Sequence, residues 1–248
     1  MLYRAAQTAG GDVPTVYITN PSWSNHRQVF ESVGFPVREF NYTTCENSGV
    51  DMESLTETLS QAPAHSIFVF HASAHNPSGW DPTVEQWKAI GKIVQERELF
   101  PIFDAAYLGM TSGDFDTDAW ALRHFIKELN LEAAVCLSFA KSMGLYGERI
   151  GLCGFATASA TAATAVESTL AQLIRVEISN PPAFGARVVA QVLGDQGLRE
   201  EWAGNLQTMS GRIKGMRWAL YEGLVELGTY FSLSADLLSL LATLYEGY

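Results

Sequence analysis

Lys141 is the residue whose position in this 248-residue chain most clearly asks for chemistry. It stands directly after the apolar run Ala133 to Phe139, which reads as a buried strand, so its ammonium is poorly solvated. Desolvation lowers the pKa of an amine and exposes its lone pair, the property needed to form a Schiff base with a carbonyl cofactor or substrate. A lysine that snorkels from a strand end to water is the competing reading. Trp23, Asn76 and Asp104 each follow an apolar run in the same way, and these companions decide between the two.

The elements that would position them alternate. Pro14 to Thr19 reads as a strand that ends at Asn20-Pro21-Ser22, with Trp23 next and a helix from about Ser24 to Gly34. Val29, Phe30 and Val33 are its expected apolar side. Val37 to Tyr42 is a second strand, and Asp51 is an N-cap for an amphipathic helix over Met52 to Gln61. Ser66 to His71 is a strongly apolar strand that runs into the loop His71 to Gly79. Thr83 and Gln86 form a capping box for a helix over Val84 to Glu98. Phe100 to Asp104 is a short strand, Asp116 to Leu129 a helix, and Ala133 to Phe139 and Ile150 to Ala156 are strands. Helices alone follow: Ala158 to Glu177, a break at Asn180-Pro181-Pro182, Ala183 to Leu193, and a long one over Leu198 to Leu227.

This alternation predicts an α/β fold, a mostly parallel central sheet with helices on both faces, followed by a long linking helix. Ligands of such sheets bind outside the carboxyl ends of the strands. Trp23, Asn76, Asp104 and Lys141 all fall there, so one sheet edge is expected to gather them.

Composition narrows the partners. A net charge of -11 and a pI near 4.9 speak against nucleic acid, whose phosphates require clustered Lys and Arg. No stretch is apolar for long enough to span a membrane, and no signal or transit peptide is legible at the N-terminus. Cys45, Cys136 and Cys153 lack paired metal-ligand spacing, so no metal site is expected. An odd cysteine count points to a reducing, intracellular compartment, and Cys136 and Cys153, lying in apolar runs, are expected in the core.

The stretch Ser138 to Gly151, with Lys141, Gly144, Arg149 and Gly151 in their spacing, resembles the lysine signature of class I aminotransferases of the aspartate aminotransferase family, pyridoxal-phosphate enzymes of fold type I. The resemblance covers roughly residues 14 to 228. It implies pyridoxal 5'-phosphate as cofactor, with Lys141 as the Schiff-base lysine that later moves the proton between substrate and cofactor carbons. Asp104 would pair with the ring nitrogen and keep it protonated, and Asn76 and Tyr107 would hydrogen-bond the phenolate oxygen. Trp23 would stack on the ring, His26 would support Asp104, and His71 would stand behind them. Ser138 and Arg149 would hold the phosphate, the latter through its guanidinium fork. Arg175, five residues before Asn180, would reach across a homodimer to the side-chain carboxylate of a dicarboxylic amino acid or 2-oxo acid.

The resemblance also implies aspartate:2-oxoglutarate transamination in amino-acid metabolism, in the cytoplasm or the mitochondrion with the cytoplasm favoured. Ala140 departs from the serine common in the family at that position. Residues 1–13 read as a divergent leader, 14–195 as the cofactor-binding large domain, 196–228 as the long helix, and 229–248 as a divergent tail. On that reading the chain is incomplete at both ends. The alternative function is a catalytically inactive fragment that keeps a dimerisation surface, and a third reading is lyase or decarboxylase chemistry on the same fold.

Overall fold

The computed structural model describes residues 12–44 and 48–227; Cys45, most of the expected leader and the expected tail lie outside the described residues. A six-stranded sheet has the order β2-β1-β3-β4-β5-β6, with β1 Val16–Asn20, β2 Val37–Asn41, β3 Ile67–His71, β4 Phe100–Ala105, β5 Ala133–Ser138 and β6 Gly151–Ala156. The first five strands are parallel, and β6 pairs with β5 in antiparallel register. The chain leaves β1 to build β2 on one side and returns to build β3 on the other. That reversal opens a crevice at the carboxyl ends of β1 and β3.

The helices are α1 Asn25–Ser32, α2 Met52–Gln61, α3 Val84–Glu96, α4 Phe115–Asp118, α5 Trp120–Arg123, α6 Ala160–Glu177, α7 Phe184–Gly194 and α8 Gln196–Glu226. Their starts are chemically marked. Asp51 accepts the Ser54 N–H at 2.9 Å, and Asp195 accepts that of Leu198 at 2.9 Å. Thr83 and Gln86 cap each other reciprocally at 3.2 and 2.8 Å.

Side-chain alternation along the strands divides the core in two. On one face Tyr17, Phe68, Phe70 and Phe103 pack with Leu55 and Leu59 of α2 and Trp87, Ile90 and Val94 of α3. On the other, Val16, Ile18, Ile67, Val69, Ile102 and Ala134 pack with Phe35. β3 is buried along its whole length, as a central strand of a parallel sheet must be.

Four expectations need correction. The single helix over Asp116 to Leu129 is instead α4, α5 and a wider π turn over His124–Glu128. Asp118 accounts for the first break, because its carboxylate accepts the N–H groups of Gly109, Thr111 and Ser112 at 2.8 to 3.0 Å and ties that turn to the preceding loop. The π turn then sets Phe125 against Phe103 and Trp87, fully buried. In α1 the buried residue is His26, while Val29 and Val33 are 54% and 53% exposed, because polar bonds at its first turn set its orientation. β5 is buried only at Ala133 and Ala134; among the described residues one strand, β6, lies beyond it. Cys136 and Cys153 are therefore exposed and not core.

The long α8 spans about 46 Å at the helical rise. Its first half is fastened: Leu206 and Ser210 are buried, and Ser210 Oγ donates to the Thr111 carbonyl at 3.0 Å. Its second half displays Met216, Trp218 and Val225 to solvent. Among the described residues no helix is long and apolar enough to cross a membrane.

Candidate active site

Asp104 ends the polar reach of β4, opposite His71 in the parallel register with β3. Its Oδ2 lies 3.0 Å from Nε2 of His26, and Nδ1 of His26 lies 2.9 Å from the Ser22 hydroxyl. With Asp104 ionised, the ring donates through Nε2–H and accepts the Ser22 O–H at Nδ1. Burial alone would raise the Asp104 pKa, but the His26 hydrogen bond, with help from the Lys141 charge, holds it below its ordinary value. The result is a carboxylate that stays charged inside the protein.

Lys141 follows β5 and is half-buried, with Nζ 5.0 Å from the centre of the Tyr107 ring. Burial, with help from the charge of Arg149, lowers its pKa, and Asp104 pulls the other way. The amine thus stays over the Tyr107 ring, within the field of Asp104, and does not snorkel freely to water. Arg149 itself is exposed, donates to the Tyr146 carbonyl at 3.0 Å, and takes a left-handed φ of 51°. Its electrostatic effect on Lys141 places the two in one field.

Trp23 stands edge-on to His26 with ring centres 5.4 Å apart, and at 39% exposure its indole presents a free surface. The His71 ring lies 5.1 Å from that of His26. His71 accepts the Asn76 backbone N–H at Nδ1, 3.3 Å away, so Asn76 is held at the same sheet edge. Ser138 ends β5 and its Oγ accepts the Ala140 N–H at 3.2 Å. The fold thus brings Trp23, His26, His71, Asn76, Asp104, Tyr107, Ser138, Lys141 and Arg149 to the carboxyl ends of β1, β3, β4 and β5. Arg175 is elsewhere, exposed in the last turn of α6 and bonded to Ser179 Oγ at 2.7 Å.

A second layer was not singled out in the sequence. His75 is buried with Nε2 2.9 Å from Thr19 Oγ1 and Nδ1 2.8 Å from Ser78 Oγ, stacked 3.8 Å from the Tyr42 ring. Burial and the neighbouring His26 lower its pKa to about 3, and His71 is lowered well below the usual range by burial and by His75. Both are neutral at pH 7. Asp81 accepts the Ala74 and His75 N–H groups at 2.7 and 2.9 Å and so fixes this loop. The only sequence trace of the layer was two histidines four residues apart after an apolar strand. Nε2 of His71 and the hydroxyls of Ser73 and Ser142 are buried without a hydrogen-bond partner among the described residues.

The chain is 42% identical over 219 residues to the cytoplasmic aspartate aminotransferase of Caenorhabditis elegans, covering 88% of this chain and 53% of that protein. It is 44% identical over 214 residues to the mitochondrial aspartate aminotransferase of Xenopus tropicalis, covering 86% and 50%. An aromatic-amino-acid aminotransferase from Burkholderia pseudomallei, solved covalently bound to pyridoxal phosphate, superposes with a TM-score of 0.86 at 36% identity, over 93% of this chain and 56% of that one. The chain thus spans about half the length of the curated relatives it matches. The model of the family "Aminotransferase class I and II" matches residues 2–238, and the chain belongs to that family.

Proposed function

We propose that this chain holds pyridoxal 5'-phosphate on Lys141 and serves transamination of aspartate with 2-oxoglutarate. The observation that carries the reading is one sheet edge that gathers a half-buried amine over the Tyr107 ring, Lys141, and a partly buried carboxylate bonded to His26, Asp104. The residues fit the cofactor. Lys141 offers a nucleophilic amine, Asp104 a fixed negative charge, Trp23 an open aromatic surface, and Ser138 and Arg149 polar groups flanking the lysine.

When bound, pyridoxal phosphate supplies an electron sink for a carbanion at the substrate Cα. Lys141 would hold the cofactor through Nζ, and the same amine would serve as the base that carries a proton. Asp104 would keep a proton on the ring nitrogen, and His26, donating to Oδ2, keeps Asp104 ionised. Asn76 and Tyr107 would hydrogen-bond the cofactor's phenolate oxygen, Trp23 would offer its aromatic face, and Arg149 with Ser138 would bind the phosphate. His71 stays neutral behind them and adds no competing charge.

Substrate choice draws on the two aspartate aminotransferase relatives and on Arg175, which we assign to the side-chain carboxylate of a substrate held by a second copy in a homodimer. We assign the chain to the cytoplasm before the mitochondrion, although its relatives carry both names. A second reading, cofactor binding without turnover, draws on the chain's spanning about half of those relatives.

Pyridoxal phosphate followed by borohydride is expected to leave a reduced adduct on the peptide bearing Lys141, and Lys141→Ala is expected to lose it. Equal fixation in Lys141→Ala overturns the assignment. Production of glutamate from aspartate plus 2-oxoglutarate separates the two readings: turnover supports the first, and labelling without turnover supports the second.

A further inference from the structure

Cys136 and Cys153 face each other directly across the antiparallel β5–β6 pair, and both are exposed. Directly opposed residues in such a pair have Cα atoms about 4.5 or 5.5 Å apart, depending on their place in the hydrogen-bond ladder. Either spacing lies within the range of about 4.4–6.8 Å that a disulfide spans. The two thiols are close enough to shift each other's acidity. Nothing in the proposed transamination uses either of them.

From this juxtaposition we infer that Cys136 and Cys153 are a reversible dithiol–disulfide site, oxidised by exchange with a low-molecular-weight disulfide. The site lies on the active-site face of the sheet. Cys136 is in register with Asp104 on one side and shares its face with Ser138, two residues on. A link there joins the strand that ends at Ser138 to the strand that begins two residues after Arg149.

The two sulfurs have different parts. The contact with Cys136 pulls the Cys153 thiol down to about 7, whereas the same contact and the charges of Cys153 and Asp104 push Cys136 up. Cys153 therefore supplies the thiolate. It attacks one sulfur of the small disulfide, forming a mixed disulfide and releasing one thiolate. Cys136 then loses its proton to solvent and attacks Cys153 Sγ, which releases the second thiolate. Two protein thiols are oxidised, one small disulfide is reduced to two thiols, and the protons balance at the leaving groups. The site stands whether or not the cofactor assignment holds, since neither sulfur is needed for it.

The test uses the full chain carrying Cys45→Ser, which leaves only this pair. The protein is incubated with glutathione disulfide, alkylated, and digested with trypsin without reduction; cleavage after Lys141 and Arg149 puts the cysteines on separate peptides. Expected is one cross-linked peptide pair, with both thiols lost together and both restored by dithiothreitol. With Cys136→Ser added, Cys153 is expected to retain a glutathione adduct. With Cys153→Ser, modification of Cys136 is expected to slow by about tenfold or more. Separate adducts on both cysteines with no cross-link, or links only between molecules, overturn the inference. The measurement on Cys45→Ser alone decides it even where an added serine variant folds poorly.

Discussion

The indole Nε1–H of Trp202 donates to the carbonyl oxygen of Ser142 at 2.8 Å, which fastens α8 to the residue next to Lys141. The ring also meets Phe115 with centres 5.6 Å apart, so the donor is held in place by packing. Trp202→Phe keeps most of the packing and leaves the carbonyl without its partner. A loss of about 1 kcal/mol in urea denaturation is expected. Faster amide exchange in the peptide containing Ser142, measured beside an unaffected β3 peptide, distinguishes a local loosening from a general one.

His75 governs part of the acid limb of stability. Its folded pKa is about 3 against an ordinary 6.5, so below pH 6.5 the unfolded chain takes up a proton that the folded chain refuses. The stabilisation is full above about pH 6.5 and is lost as pH falls towards about 3. His71 is lowered in the same direction and adds a second proton to the difference. Each contributes a slope of about 1.4 kcal/mol per pH unit. His75→Gln is expected to remove one such slope between pH 6 and about 5, read from denaturant midpoints at successive pH values. An unchanged slope rules out a neutral buried His75.

Gly151 opens β6 opposite Ser138, and a Cβ there would sit 2.5 Å from the Leu137 carbonyl oxygen. Backbone oxygen cannot swing aside as a side chain can, so the strands must part locally. Gly151→Ala is expected to cost about 1–3 kcal/mol and to weaken cofactor fixation on Lys141. Gly154, three residues along the same strand, has nothing within 4 Å of its would-be Cβ. Gly154→Ala is the matched control and is expected to stay within about 0.5 kcal/mol of the parent.

What the sequence made legible was the part encoded locally. Apolar runs of strand length, the Asp51 cap and the Thr83–Gln86 box name their elements without reference to anything distant, and all of these appear in the fold. Lys141 and Asp104 were readable for the same reason, since each directly follows or closes an apolar strand. The misread features depend on neighbours far away in sequence. The helix break at Asp118 exists because its carboxylate turns to three N–H groups in the preceding loop. Val29 and Val33 have the right spacing for a buried stripe, but His26 is drawn inward by Asp104, 78 residues away. The two cysteines looked apolar in their runs, and only strand order reveals that β6 is the outermost strand among the described residues.

The length of α8 turns it into a lever. Its fulcrum lies at Leu206 and Ser210; some twenty residues run from Leu206 to Glu226, an arm of about 30 Å, and Trp202 stands on the other side at about 6 Å. A tilt of about 10° at the fulcrum moves the far end by about 5 Å over such an arm. The loop carrying Lys141 hangs on the short side of that lever through the Ser142 carbonyl. Force applied to the outer half of α8 is therefore geared down, large travel there becoming small displacement at the amine.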